Sequence, residues 1–201
     1  MTDDATPDLL TRRRLDTHQE IHQATLELFE AQGVRETTVQ QIADRAGISA
    51  RTFFRYFTSK EQAALPGQRR LLAAIDALEV PDADLTAVLR AVESATEAAI
   101  GGENDPELEE HRRVARLLAR EPDLQMLAAS QEQELTNRLR ARLTEQLEGQ
   151  DPTSLLLIAE IAVAVWRTSW DRWGESVIEG EAGDPVEYYR ACREELRRIV
   201  G

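Results

Sequence analysis

Arg51 and Arg55 stand four residues apart in the stretch ISARTFFRYFTSK, with Thr52 between them and Tyr56 and Lys60 close behind. Residues at that spacing share one face of a helix. A guanidinium fork can donate to guanine O6 and N7 together, and a threonine methyl can meet a thymine methyl. Tyr56 and Lys60 suit phosphate oxygens, contacts that position a protein on a duplex without specifying its sequence. The chemistry on offer is hydrogen-bond donation to a nucleic acid. The bland alternative is a set of cations that merely solvate a surface helix.

Covalent catalysis has no comparable cluster. The three histidines are His18, His22 and His111. His18 and His22 lie at i, i+4 like a zinc pair, but no cysteine completes a site and the sequence between them lacks the H-E-x-x-H form. The single cysteine, Cys192, excludes an internal disulfide framework and fits a reducing compartment. We read the chain as a non-enzyme without metal or organic cofactor.

The elements that must position the arginines are legible locally. Thr38 followed three residues later by Gln41 has the form of a capping box and predicts a helix running to about Ala46. Ile42, Ala43 and Ala46 share its apolar face, and Gly47 supplies the backbone freedom for a sharp reversal. Ser49 then caps a second helix, on which Ala50, Phe53 and Phe57 lie on one side while Arg51, Thr52 and Arg55 lie on the other. Phe54 fits either the polar face or the small core.

Residues 12 to 60 resemble the N-terminal DNA-binding domain of the TetR family of bacterial transcriptional regulators. The resemblance rests on Leu28-Phe29 and Gly33, Thr37-Thr38-Val39, Ile42-Ala43, Ala46-Gly47-Ile48-Ser49, Thr52-Phe53-Phe54-Arg55-Tyr56-Phe57 and Ser59-Lys60-Glu61. It implies that Thr38 sits near a phosphate, that Arg51, Thr52, Phe54 and Arg55 lie at or near base edges, and that Tyr56 and Lys60 contact the backbone. Ser49 adjoins the same surface. Upstream, Arg12, Arg13 and Arg14 form a basic run before the first helix, suited to a minor groove or to phosphates. Residues 1 to 10, with Asp3, Asp4 and Asp8, are expected to be disordered.

The chain has 201 residues and a net charge of -13, and the charge is unevenly divided. Residues 11 to 60 carry eight Lys/Arg against six Asp/Glu, or +2; residues 1 to 10 carry -3 and residues 61 to 201 carry -12. An acidic body restricts phosphate contact to the basic head and argues for a selective binder of double-stranded DNA. No apolar run reaches the roughly 18 to 20 residues of a membrane span. The expected location is the cytoplasm, at the nucleoid when DNA is bound.

From residue 61 onward the sequence predicts helices throughout, so the fold class is all-α: a helix-turn-helix domain at 11–60 and a larger ligand-binding and dimerisation domain at 61–201. The expected helices are 68–79, about 85–100, 106–120, 122–148, 153–173 and 185–200. The helix at 68–79 joins head to body and is the natural lever. LLLIAEIAVAVW in the penultimate helix is apolar nearly all round and needs cover on more than one side. Val186, Tyr189, Cys192, Leu196 and Ile199 give the last helix near-heptad spacing. Pairing these two helices with their copies gives a homodimer, as the resemblance also implies, and a palindromic operator follows.

The same resemblance implies a pocket in the body for a small hydrophobic or acyl-type effector whose entry releases a repressor from DNA. The sequence offers Thr96, His111, Met126, Trp166, Arg167 and Trp170 as candidates. Trp166, Trp170 and Trp173 form one stripe that suits core or dimer packing equally. HRRVARLLAREPDLQ at 111–125 is similar to a subgroup of actinobacterial TetR-like proteins, some of which respond to acyl-coenzyme A thioesters. Two alternatives stay open: control by a protein partner, toward which a filled, dry body would point, and ligand-independent DNA binding.

Overall fold

The computed structural model describes residues 9–65, 69–81, 84–101 and 108–200. Ten helices occupy them, and among the described residues there is no strand: α1 (Leu9–Gln32), α2 (Val39–Arg45), α3 (Ala50–Tyr56), α4 (Lys60–Ala64), α5 (Arg69–Asp76), α6 (Leu85–Ile100), α7 (Leu108–Leu118), α8 (Pro122–Gln146), α9 (Pro152–Glu179) and α10 (Pro185–Val200). They form two compact units, one of Met1–Pro66 with Arg120–Leu127, the other of Gly67–Ala119 with Ala128–Gly201.

In the first unit the core gathers Ile21 and Ala24 of α1, Ile42 of α2, Phe53 and Phe57 at α3, and Ala63 of α4. Phe57 also lies against the His18 ring, with centroids 4.4 Å apart. Each fully buried side chain of this size contributes about 1.5–3 kcal/mol relative to exposure. The α2–α3 turn is a Schellman motif: Ile48 N–H donates to Ala43 O at 2.9 Å and Gly47 N–H to Asp44 O at 3.2 Å. Gly47 holds φ +67°, a conformation that disfavours any side chain.

The basic run is placed differently from the sequence expectation. Leu9 to Arg14 belong to α1, so Arg12, Arg13 and Arg14 lie on its first turns and do not precede it. LLTRRRL contains no glycine or proline, so nothing in it interrupts a helix. The side chains of Arg12 and Arg13 lie outside the described residues, and Arg14 is exposed. Of the ten residues expected to be disordered, Leu9 and Leu10 are helical and residues 1–8 lie outside the described set.

The second unit is organised around α8 and α9. Leu135, Leu139, Leu143 and Leu147 recur every four residues and meet Leu155, Ile158, Ala159, Ala162 and Val163, with Leu71, Ile75 and Leu78 from α5 and its exit and Val88 and Val92 from α6 completing the core. α9 runs to Glu179, six residues beyond the expected end. Gly174 sits within the helix, where an added Cβ would meet the Ala115 side chain of α7 at an ordinary 3.7 Å, and the helix ends at Gly180 with φ +83°. α10 is tied to α6 by ions: the carboxylate of Glu93, only 4% exposed, meets Arg193 and Arg197, while Glu97 pairs with Arg190 and Arg193.

Candidate DNA-reading surface and effector cavity

α2 and α3 present the residues selected from sequence. Thr38 caps α2 and completes the capping box: its hydroxyl accepts from Gln41 N–H, and Gln41 Oε1 accepts from Thr38 N–H at 2.8 Å. Gln32 at the end of α1 donates to Thr37 Oγ1 and Gln41 Oε1, and Arg45 of α2 pairs with Glu27 of α1. These bonds fix the turn into α2. Ser49 caps α3 by accepting from Thr52 N–H, and its hydroxyl also bonds Thr52 Oγ1 at 2.9 Å. Thr52 thus enters the surface with its hydroxyl already oriented and its methyl available.

Arg51, Phe54 and Arg55 are exposed, whereas Phe53 between them is fully buried. Phe54, 58% exposed, stands on the outer side of α3 and touches Phe53 edge-on. The Arg55 guanidinium lies 5.3 Å from the Tyr56 ring centroid. Neither Arg51 nor Arg55 has a carboxylate partner among the described residues. Arginines of the second unit differ: Arg112 and Arg116 meet Glu109, Arg138 meets Asp76, Arg172 meets Glu175 and Arg198 meets Glu195. The α3 arginines therefore keep their full charge for an outside acceptor.

Lys60 is used in a way sequence reasoning missed. Its Nζ donates to Val34 O at 2.6 Å and Thr37 O at 2.7 Å, bracing the segment that leads into α2 from the start of α4. One of its three donors is left for solvent or a phosphate. No local pattern signals the pair, because the carbonyls lie 26 and 23 residues upstream.

The body candidates divide. Thr96 and Trp166 line an apolar cavity of about 20 Å³ with Leu71 and Ile75 of α5, Ala95 of α6 and Ala162 of α9. Thr96 donates its hydroxyl hydrogen to Val92 O at 2.9 Å. The beyond-periodicity members of this wall, Ala95 and Ala162 among them, were not singled out from sequence; small residues at helix crossings were the available signal. The His111 and Trp170 rings lie tilted with centroids 5.3 Å apart, and Trp170 stands edge-on to Trp173 and Trp166. Trp173 is buried and donates Nε1–H to Gly183 O at 3.0 Å. Arg167 faces outward and meets Glu132 at 3.5 Å. Met126 is 67% exposed and belongs to the first unit, so it is not part of this wall.

Burial also sets the titration of this region. Desolvation pushes the carboxyls of Glu132 and Asp171 above their ordinary range despite the nearby Arg167, and pushes the Tyr189 phenol up to about 12. Burial likewise raises the half-buried Cys192 thiol. Among the described residues no group of three or more His, Cys, Asp or Glu side chains is arranged to hold a metal. His22 is instead buried in the first unit with Nδ1 2.8 Å from Ala63 O. No described helix is long and apolar enough to cross a membrane.

A capped helix, a glycine turn and a second helix carrying unpaired arginines define a helix-turn-helix transcriptional regulator. The comparisons agree. The family of bacterial regulatory proteins designated tetR matches residues 21–63. The transcriptional regulator TcmR of Streptomyces glaucescens is 38% identical over 155 residues, covering 72% of this chain and 66% of TcmR. MftR of Mycobacterium tuberculosis, a transcriptional regulator, is 33% identical over 114 residues, 57% of each chain. The matched stretches thus span between half and two thirds of these relatives. In fold, the chain is similar to NalD, the secondary repressor of the MexAB-OprM multidrug efflux pump in Pseudomonas aeruginosa, with a TM-score of 0.51 at 18% identity over 92% of this chain and 96% of NalD. The chain belongs to the TetR family of transcriptional regulators.

Proposed function

We propose that the protein is a homodimeric repressor that reads a palindromic operator with Arg51, Thr52 and Arg55 and leaves it when a small apolar effector enters the body. The observation that carries the DNA reading is the pair of exposed, carboxylate-free arginines one turn apart on α3. Thr38, Ser49, Phe54, Tyr56 and Lys60 border the same surface, and Arg14 with Arg12 and Arg13 extends the basic character along α1. The proteins it resembles are regulators, and the working location is the cytoplasm.

Exposed apolar side chains on the last two helices support the dimer: Leu157 and Ile178 on α9, and Ile199 and Val200 on α10, are all more than half exposed. A two-fold dimer presents two copies of α3, which is why inverted half-sites are expected. The apolar cavity supports the effector reading. Its size also favours a second reading, because about 20 Å³ admits little more than one water molecule and a nearly filled body is what control by a protein partner would produce.

The test begins with selection of bound sequences from random double-stranded DNA, followed by affinity measurement on the selected site. Each arginine-to-guanine contact is worth about 1–3 kcal/mol, so Arg55→Ala in both subunits should weaken binding by about 2–6 kcal/mol while leaving dimer mass unchanged. An unaltered affinity removes Arg55 from the reading face. Native mass spectrometry of the purified dimer separates the control readings, a discrete small-molecule adduct favouring an effector and a co-purified polypeptide favouring a partner.

A further inference from the structure

We propose that Tyr56 is a positioning residue for base recognition: its ring holds the Arg55 guanidinium, so that an already ordered fork meets the edge of a base. This rests on the reading of Arg55 as a base contact. The Arg55 guanidinium carbon lies over the Tyr56 ring, 5.3 Å from its centroid, within the roughly 6 Å at which a cation is drawn to an aromatic face. Tyr56 is the last residue of α3 and is half-buried. Its side chain packs against the core cluster that contains Ile21, Ile42, Phe53 and Phe57, which keeps the ring in place before DNA arrives.

The kind of contact suits it to reading. The attraction of a cation to a ring face is electrostatic and needs no particular N–H, so the fork stays open for bidentate contact with a base edge. A carboxylate positions an arginine differently, by occupying N–H donors and cancelling charge, as Glu109 does for Arg112 and Asp76 for Arg138. Arg55 has no such partner among the described residues, and Arg51, one turn earlier, has neither a carboxylate nor a ring. The Tyr56 hydroxyl makes no hydrogen bond among the described residues and stays available to a phosphate. Ring and hydroxyl therefore have separable duties. A hydroxyl–phosphate bond strengthens binding to every sequence alike. Ordering a long side chain is a cost met only where that side chain makes its contact, so a ring that orders Arg55 beforehand strengthens binding only where Arg55 finds its base. The ring therefore enters sequence discrimination, and the hydroxyl does not.

The test uses the full-length protein and its selected operator. Arg55→Ala locates the half-site positions at which Arg55 sets the base preference. Discrimination is then the affinity ratio between the selected operator and one substituted at those positions in both half-sites. Tyr56→Leu, which removes the ring, should lower that ratio about 5- to 30-fold for the two subunits together and leave the preference elsewhere in the half-site intact. Tyr56→Phe, which keeps the ring and removes the hydroxyl, should weaken both operators alike and leave the ratio as it is. A wild-type ratio in Tyr56→Leu overturns the proposal, as does an equal loss of ratio in Tyr56→Phe. So does a loss of preference spread over the whole half-site, which would mark a loosened α3. Unaltered operator affinity in Arg55→Ala overturns the reading of Arg55 itself and the proposal with it. Circular dichroism shows whether Tyr56→Leu is folded. Should it unfold, side-chain Nε–Hε relaxation on the DNA-free wild-type protein decides: Arg55 is expected to be more ordered than Arg51, and equal mobility of the two overturns the stack.

Discussion

Replacing Lys60 with methionine separates a structural role from a DNA contact. The ammonium donates to Val34 O at 2.6 Å and Thr37 O at 2.7 Å. Hydrogen bonds from a charged donor are worth about 1.5–3 kcal/mol each. Lys60 is only half-buried, and water can approach the carbonyls once it is gone; Val34 O also accepts from Thr37 N–H at 3.3 Å. Halving the sum for these effects leaves a cost of about 1.5–3 kcal/mol, confined to the segment that leads into α2. Hydrogen exchange at amides of residues 34–45, measured on the full chain without DNA, should accelerate roughly 10- to 150-fold. If Lys60 instead serves one phosphate per subunit, exchange without DNA stays unchanged and the salt slope of operator affinity falls by about 1.8 per dimer. That pair of results would refute the bracing role.

The remaining predictions concern the body. Glu93→Gln leaves Arg193 with Glu97 but strips Arg197 of its partner and should cost about 2–4 kcal/mol in urea unfolding; a cost below about 0.5 kcal/mol would show that the buried charge is dispensable. Leu157→Glu combined with Ile199→Glu should give a monomer in sedimentation, and a persistent dimer would move the interface off α9 and α10. Tyr189 keeps its phenolic proton to about pH 12 in the folded chain and loses it near pH 10 when unfolded. Stability should therefore fall as pH rises from about 10 to 12, by about 2–3 kcal/mol, and Tyr189→Phe should remove this step in urea titrations.

The reading head was legible because its determinants are short-range. A capping box spans Thr38 to Gln41, a Schellman turn spans Ala43 to Ile48, and the alternation of Arg51, Phe53, Arg55 and Phe57 spans two turns. Each can be checked within a window in which helix geometry fixes direction. Errors arose where a local rule met tertiary context. Glycine often follows a helix end, but Gly174 lies inside α9 where it faces Ala115 of α7, and the helix ends instead at Gly180 with φ +83°.

The body resisted reading for a different reason. Val92, Glu93, Thr96 and Glu97 are all buried or half-buried, yet they serve adjoining faces of one helix: Val92 and Thr96 line the cavity, while Glu93 and Glu97 bind α10. Their spacing alone predicts a single amphipathic stripe with two misplaced acids. The acids become intelligible only against Arg190, Arg193 and Arg197, which stand 93 to 104 residues downstream on α10 and present their charges at i, i+3 and i+7. A buried carboxylate is costly without such partners. Glu93 at that position therefore required cations from a neighbouring helix, and Arg193 and Arg197 of α10 supply them.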